Sequence, residues 1–387
     1  MQGKGLREMF DRFPKAALIV CLVLFFVPGT TFGQTWTTET VDSSGESISM
    51  AADVDGNIHM SYLGGNGMVK YGFRPAHATR WFTMEIPKAS YEGDTHMPTK
   101  IALDPQGNPH ICYTPGALKY ASFNGKQWSI QEINPGSGNI SFTCSVAIAP
   151  DGTQHVIWYQ YGMPTGGLYL HLKHAVLRDG VWMARTVDFE GQTGKWNSMI
   201  VDAQGIPNIS YDSFLKGELK YAYWNGKNWK ASVVDSPERG GDGGKGNSVI
   251  VNRDGRAQIS YVRDDALLYA WQTATSWKID TIDHISTNGA WLDYRTRQAL
   301  DPQGNPHIVY EDGGRVKHAF WDGSQWRIQV VSGSGLDPLR FADIAIDHEG
   351  IIYIGYRDAT DNSVKVAVGL PQAQVQNAPA KAKPDIK

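Results

Sequence analysis

The chain of 387 residues has little cysteine, little charge and almost no long apolar run. Three cysteines are too few for the disulfide framework that stabilises small secreted domains. Only 19% of the residues are charged and there is no basic run, so the electrostatic signature of a nucleic-acid-binding protein is missing. The longest apolar run, residues 16–27, is shorter than the roughly 20 residues that cross a bilayer. We predict no nucleic-acid partner and no membrane span in the mature chain.

Motifs for several kinds of chemistry are also missing. The sequence has no phosphate-binding glycine loop, nucleophile elbow, zinc-ligand spacing or haem-attachment motif. We therefore predict no cofactor and no metal site, and the sequence disfavours redox, phosphoryl-transfer and acyl-transfer chemistry.

The two ends of the chain differ from the rest. Four basic residues precede the apolar run, and Thr31 and Gly33 provide small residues for cleavage. We predict a signal peptide over 1–33, cleavage near Gly33 and an exported mature protein, periplasmic or extracellular; an uncleaved anchor is the alternative. The whole chain has a net charge of −3 and the leader carries +2, which leaves the mature chain at −5. Residues 370–387 are rich in Pro, Ala, Gln and Lys and predict a disordered tail.

The chain is rich instead in glycine, aromatic residues and one repeated pattern. It contains 42 Gly, 13 Trp and 17 Tyr, a composition typical of short strands and tight turns. Seven copies of the pattern open with an apolar strand and a turn that ends in glycine, at spacings of 51, 45, 53, 50, 49 and 46 residues. The turn glycines are Gly56, Gly107, Gly152, Gly205, Gly255, Gly304 and Gly350.

Two aromatic series follow the turn glycine. Six residues past it comes Tyr or Trp, and the last strand of a copy opens with Trp. The seventh copy stops near Val368 without that Trp, and the missing strand stands at the start of the mature chain, over 36–42. Repeats of about 40–50 residues with four strands each predict propeller blades.

We therefore predict an all-β fold, a seven-bladed β-propeller over residues 34–369 with four-stranded blades. The N-terminal strand, residues 36–42, completes the last blade, closes the ring and leaves no exposed edge at the seam. Strands A to D run from the inside of a blade outwards, so the A–B and C–D hairpins share one face. The B–C loops and D–A crossovers share the other face, whose irregular loops are where binding is expected. We predict a monomer.

The repeat acts as an internal control, because a residue shared by most copies is structural. By this criterion the Tyr and Trp series form the core. The histidines three residues past the glycine lie on separate blades at equivalent heights, so we predict structural hydrogen bonds for them rather than metal ligation. They are His59, His110, His155 and His307.

Charged departures from the repeat concentrate near the B–C/D–A face. Seven residues before the turn glycine four copies carry serine, and the exceptions are Lys100, Arg297 and Asp343. One residue past the aromatic series the charged departures are Asp212, Glu311 and Arg357. Two interpretations are open: ion pairs between blades, for example Arg297 with Asp343, or a site where guanidinium groups bind an anion.

For a functional site the candidates fall into two groups. The candidate ligand-binding residues are Lys100, Arg295, Arg297, Arg340, Arg357 and Trp196. The candidate catalytic residues are Glu311, Asp343, Asp212, Tyr294 and His96.

Only Cys112 and Cys144 remain in the mature chain, on the second strand of blade 2 and at the start of blade 3. An exported protein permits a disulfide between them. Two buried thiols that act as small apolar side chains are the alternative.

The Gly-x-Pro-His-Ile-x-Tyr rhythm at 107–113 and 304–310 and the Asn-Gly-Lys-x-Trp hairpins at 124–128 and 225–229 resemble exported bacterial propellers of the sialidase-like, BNR-repeat group. The resemblance covers 36–369 and implies the propeller fold. Sialidases use an arginine triad, for which the resemblance offers Arg297, Arg340 and Arg357. The blade number also resembles that of seven-bladed polysaccharide lyases, for which His96, Arg297 and Tyr294 are the counterparts.

Three functions are compatible with this pattern. The first is an exported binding module that recognises a glycan or a protein on the B–C/D–A face. The second, which is the main alternative, is a carbohydrate-active enzyme, a polysaccharide lyase or sialidase-like glycoside hydrolase, with its site at the mouth of blades 6 and 7. The third is a structural partner in a larger envelope assembly.

Overall fold

The computed structural model describes residues 35–90, 99–115, 117–133, 140–162, 169–190, 192–237, 243–286, 296–332 and 342–370. The predicted leader and nearly all of the predicted tail lie outside these ranges, as do the candidates His96, Tyr294, Arg295 and Arg340. Within the described ranges, no helix has the length and apolar character needed to cross a membrane.

Blades 1 to 4 follow one another along the chain. Blade 1 comprises β2 (Gly45–Ala52), β3 (Ile58–Gly64), β4 (Met68–Arg74) and β5 (Phe82–Ser90). Blade 2 comprises β6 (Lys100–Leu103), β7 (Pro109–Tyr113), β8 (Lys119–Phe123) and β9 (Trp128–Glu132). Blade 3 comprises β10 (Ile140–Ile148), β11 (Gln154–Gly162), β12 (Tyr169–Arg178) and β13 (Val181–Thr186). Blade 4 comprises β14 (Thr193–Val201), β15 (Pro207–Ser213), β16 (Glu218–Trp224) and β17 (Trp229–Asp235).

The last three blades include the closure of the ring. Blade 5 comprises β18 (Lys245–Val251), β19 (Ala257–Arg263), β20 (Ala266–Gln272) and β21 (Trp277–His284). Blade 6 comprises β22 (Arg297–Leu300), β23 (Pro306–Asp312), β24 (Arg315–Trp321) and β25 (Trp326–Ser332). Blade 7 comprises β26 (Asp343–Ile346), β27 (Ile352–Arg357), β28 (Val364–Gly369) and β1 (Trp36–Asp42). Each blade is a four-stranded antiparallel sheet in A–B–C–D order, which confirms the predicted seven-bladed propeller.

Most A–B turns are stabilised by an acidic side chain that accepts backbone N–H groups which no neighbouring strand can bond, as blade 2 shows. Asp104 Oδ1 accepts the backbone N–H groups of Gln106 and Asn108 at 2.9 and 2.8 Å. Gly107 adopts φ 79°, a conformation that favours glycine. The acidic turn is therefore a structural device, as its recurrence in most copies predicts.

The ring closes through β1, which pairs with β28 so that Trp36 lies opposite Gly369. Trp36 packs edge-on against His318 of blade 6 at a centroid distance of 5.6 Å, as Trp326 packs against Tyr269 one blade earlier at 4.9 Å. Trp36 thus takes the place of the Trp that the seventh copy lacks.

Glu39 then joins β1 to blade 1. Its carboxylate accepts two guanidinium N–H groups of Arg74 and the indole N–H of Trp81, each at 2.9 Å. Arg74 is only 5% exposed, so this bidentate pair holds a buried charge.

The remaining repeated aromatics and histidines join blades or strands, as predicted. The Tyr211 hydroxyl donates to Asp188 Oδ2 of the preceding blade at 2.8 Å, and Tyr261 and Tyr310 make the same bond to their preceding blades. His155 and His307 pair with a second histidine on strand C of their own blades, at 3.0 and 2.9 Å. The described part of the chain contains no group of three or more His, Cys, Asp or Glu placed to hold a metal ion.

The inner strands fall into a short group and a long group. In blades 2, 6 and 7 strand A has four residues and begins at Lys100, Arg297 and Asp343, respectively. In blades 1, 3, 4 and 5 strand A is seven to nine residues long and carries a bulge at its mouth end. The three charged departures are therefore the first residues of the three short inner strands.

Candidate functional site

The inner ring has one recurring hydrogen bond between neighbouring blades. Ser49 Oγ accepts the backbone N–H of Ile101 at 3.3 Å, and Ser145 and Ser198 accept the equivalent N–H of the next blade at 3.2 Å. This bond explains why four of the seven copies carry serine seven residues before the turn glycine, because each hydroxyl accepts a buried N–H group of the next blade.

Asp343 makes the same hydrogen bond to the next blade and a second one within its own blade. Its Oδ2 accepts the N–H of Met50 in blade 1 at 3.1 Å, as a serine would, and its Oδ1 accepts the N–H of Ile344 at 2.9 Å. The Ile344 N–H is the donor that a serine at position 297 would satisfy, and Arg297 has no acceptor to offer. The Asp343 carboxylate is thus committed to structure, which weakens its case as a catalytic residue.

Lys100 and Arg297 have no such structural role in the ring. Lys100 Nζ of blade 2 lies 3.7 Å from Asp343 Oδ2 of blade 7. Arg297 Nη1 donates to the carbonyl of Thr296 at 2.8 Å. Burial lowers the pKa of Arg297, and the charge of Asp343 partly offsets that effect. Asp343 therefore compensates both cations in part: its carboxylate pairs with Lys100, and its charge also acts on Arg297, the partner that the sequence suggested.

These two cations share a recess at the mouth of the central channel. Five blades supply its lining, which consists of Lys100, Thr143, Cys144, Lys195, Trp196, Asn197, Gly246, Asn247 and Arg297. About 10 Å³ is open to the centre of a water molecule, room for about one water. None of the described residues that line it is a carboxylate, and three are cations. Such a set of donors suits an oxyanion or a polyhydroxylated ligand.

Trp196 lines this recess, although its ring is not an open surface. It is 5% exposed, and Lys195 Nζ lies 5.2 Å from the ring centroid. Trp196 therefore lines the recess as a buried ring beside Lys195 and does not offer an open face for stacking.

Lys195 is the charged recess residue that the sequence analysis missed. It is exposed, and it lies within the bulge of β14 between Thr193 and Asn197. The signal in the sequence was weak, because a bulge shifts the inward-facing register by an amount that the repeat alone does not reveal.

Asp212 is buried directly behind Trp196. It is 2% exposed, and its Oδ1 accepts the Trp196 backbone N–H at 2.9 Å. Burial raises the pKa of Asp212 to about 7, while the Trp196 hydrogen bond and the charge of Lys195 oppose that rise. Asp212 is therefore a titratable group coupled to the recess without being part of its lining.

Glu311 and Arg357 lie outside the recess. Glu311 is half-buried on β23, opposite Val316. Arg357 is half-buried at the end of β27, and its guanidinium bonds to the Asn362 side chain in the turn of its own blade. The structure therefore brings together Lys100, Arg297 and Trp196, but not these two residues with them.

Cys112 and Cys144 form a disulfide between blades 2 and 3, with a Cα–Cα distance of 6.3 Å. Of the two interpretations left open by the sequence, the bonded one is confirmed. Because Cys144 also lines the recess, the bond fixes one wall of the channel mouth.

A second cavity lies at the A–B turns, on the opposite face. It has about 350 Å³ open to the centre of a water molecule and is bounded by inner-strand ends of blades 2, 3 and 4, including Leu103, Ile148 and Val201. Its walls are largely apolar, and its two carboxylates, Asp104 and Asp202, accept backbone N–H groups of their own turns. Of the two cavities lined by described residues, the recess at the channel mouth is therefore the one with polar and charged side chains available to a ligand.

No protein-family model matches the chain, and no curated protein matches it by sequence. Solved structures match its fold. A polysaccharide lyase, the PL25 ulvan lyase bound to -[GlcA(1-4)Rha3S]-, is 12% identical, with 87% of this chain and 96% of the lyase covered at a TM-score of 0.55. AofleA from Arthrobotrys oligospora is 12% identical, with 78% and 90% covered at 0.51. The Cps50 (Swd1) β-propeller domain from Myceliophteria thermophila is 8% identical, with 87% and 99% covered at 0.52. At these identities the likeness shows the fold alone.

Proposed function

We propose that the chain is an exported binding module that recognises a glycan at the mouth of its central channel, on the B–C/D–A face. The observation that carries this proposal is the recess lined by Lys100, Lys195 and Arg297 together with amide and hydroxyl groups. Saccharides present many hydroxyl, carboxylate or sulfate oxygens, and donors held on a rigid ring match them at little entropic cost. A protein ligand with an acidic side chain is the other occupant this surface suits.

A carbohydrate-active enzyme, a polysaccharide lyase or sialidase-like glycoside hydrolase, is the second candidate. Arg297 stands at the mouth of blade 6, as a group that neutralises a uronate must, and Asp212 has the raised pKa of a general acid. Asp212 is 2% exposed, however, and Asp343 is held by two backbone N–H groups, so neither carboxylate is placed to reach a substrate as the site stands. The solved polysaccharide lyase is compatible with both candidates and selects neither.

The test is a glycan array probed with residues 34–387 and with Lys100→Ser and Arg297→Ser. Both variants copy the serine of the other blades, so the ring should tolerate them. Arg253→Ser, which removes an exposed cation from the opposite face, is the matched control. Binding that is lost in the first two variants and kept in the control supports the proposal. Product analysis on the bound glycan then separates a lectin from an enzyme, and no binding to any glycan would overturn both readings.

A further inference from the structure

We propose that Lys195 completes an oxyanion site with Lys100 and Arg297, and that Asp212 is the positioning residue that holds Lys195 in place. The ligand class is a carboxylate or sulfate group carried by an acidic saccharide. This inference rests on the proposed function and narrows it to anionic ligands.

The arm that carries Lys195, residues 194–197, is held by both neighbouring blades. Thr143 Oγ1 of blade 3 donates to the Lys195 carbonyl at 3.0 Å, and Asn247 Nδ2 of blade 5 donates to the Trp196 carbonyl at 3.1 Å. Asn197 Nδ2 donates back to Thr143 Oγ1 and to the Gly194 carbonyl, both at 2.9 Å. An exposed lysine on a backbone fixed at so many points is preorganised, which is how a binding site avoids the entropic cost of ordering a loop.

Part of this support is common to the repeat and part is particular to blade 4. Thr99 and Thr296 bind the Ser47 and Gly246 carbonyls just as Asn247 binds the Trp196 carbonyl. Ser47 and Gly246 have positive φ angles of 57° and 56°, and Trp196 at the equivalent position of blade 4 does not. The positive φ of Gly194, 92°, recurs at Gly244 of blade 5, 76°. Blade 4 thus departs from blades 1 and 5 at Trp196, in both the side chain and the backbone.

Asp212 departs from the repeat in the same blade and contacts the other departure. The equivalent residues in blades 1 and 5 are Leu63 and Val262, which accept no hydrogen bond through their side chains. In blade 4 the carboxylate takes the Trp196 N–H, so two unusual residues are joined by one bond of 2.9 Å. A buried carboxylate is costly to keep in a core, and stability alone does not explain why this blade retains it.

The electrostatics of the recess agree with an anionic ligand. Lys100, Lys195 and Arg297 line one recess, and two described carboxylates that interact with them, Asp343 and Asp212, are both tied to backbone N–H groups. Among the described residues, the lining of the recess offers three cations and no carboxylate, which favours an incoming anion.

The experiment uses the mature chain with its lysines ¹³C-dimethylated, and Lys195→Met identifies the Lys195 signal. In the wild type the Trp196 ring current shifts this signal upfield, and inorganic sulfate should change its position in a saturable titration. Asp212→Val, which copies blade 5, should abolish both effects, whereas Asp212→Asn, which keeps an acceptor for the Trp196 N–H, should preserve them. An unchanged ring-current shift in Asp212→Val would overturn the positioning role. A sulfate titration that leaves the wild-type signal unmoved would overturn the oxyanion site.

A calorimetric titration with acidic and neutral oligosaccharides then separates this inference from the proposed function. We expect polygalacturonate fragments or sulfated galactan fragments to bind and maltotetraose not to bind. Loss of one charge-assisted hydrogen bond should weaken binding about tenfold in Lys195→Met, and equally in Asp212→Val. The double variant should be no weaker than either single one, since both act through Lys195. If sulfate moves the Lys195 signal but no saccharide binds, the oxyanion site stands and the glycan proposal fails.

Discussion

The disulfide between blades 2 and 3 can be compared with non-covalent bonds at equivalent positions of the same protein. Ser61 and Thr99 join blades 1 and 2 through their hydroxyls at 3.0 Å, and Ser260 and Thr296 join blades 5 and 6 at 2.7 Å. Each pair lies five residues after one turn glycine and eight before the next, which is where Cys112 and Cys144 stand. Cys112→Ser with Cys144→Thr therefore replaces the covalent bond by the bond used elsewhere in the ring.

The expected magnitude follows from chain entropy. A cross-link between residues separated by 32 positions restricts the unfolded chain by about 3.7 kcal/mol in the loop-closure model. A recovered side-chain hydrogen bond returns about 1 kcal/mol. We therefore expect the Ser/Thr variant to lose roughly 2–3 kcal/mol of unfolding free energy, and Cys112→Ala with Cys144→Ala to lose roughly 4 kcal/mol or more.

The assay is equilibrium urea unfolding of the mature chain, checked for reversibility and for coincident transitions by fluorescence and circular dichroism. Reduced wild type serves as a second reference, and Ser260→Ala measures what the hydrogen-bonded version of the clasp contributes. Equal stability of the Ser/Thr and Ala/Ala variants would refute the equivalence of these positions. A loss below about 1 kcal/mol in both would refute the entropic argument.

Three further predictions concern buried charges and the seam. Asp212 has its pKa raised from 3.8 to about 7 by burial, so the native state binds the proton more tightly than the unfolded chain and stability falls as pH rises between these values. Asp212→Asn should remove up to about 3 kcal/mol of this fall between pH 5 and pH 8, measured by urea unfolding at both values; an identical pH dependence would contradict it. Burial lowers the pKa of His174 from 6.5 to about 3, which acts in the opposite sense, so wild type should lose stability as pH falls below 6.5 and His174→Gln should lose less. Glu39→Ala leaves the guanidinium of Arg74 buried without its partner and should cost about 3–5 kcal/mol. Glu132→Ala, which breaks the more exposed pair with Lys119, should cost less than about 1 kcal/mol, and similar losses in both variants would argue against the closure role of Glu39.

The architecture could be predicted from the sequence because its causes are local and repeated. A glycine turn and the strand that follows it recur seven times with small changes in spacing, and the Asx acceptor of the turn and the Trp that opens the last strand recur six times each. The seventh copy lacks the Trp that opens a last strand, and residues 36–42 form a strand that belongs to no other copy. The pairing of β1 with β28 could therefore be inferred from the sequence. The serine baseline at the inner strand also identified Lys100, Arg297 and Asp343 as departures.

What those departures do was decided by contacts between blades. The sequence does not show that Asp343 replaces a serine acceptor and serves a second N–H as well, because both donors lie on strands whose register must first be known. Lys195 reaches the recess through a bulge, and a one-residue change in register would turn it to the other side. The bond of Cys112 to Cys144 and the burial of Trp196 behind Lys195 also depend on how neighbouring blades approach one another. Periodicity along the chain thus determined the ring, while packing across the chain determined which side chains meet at its mouth.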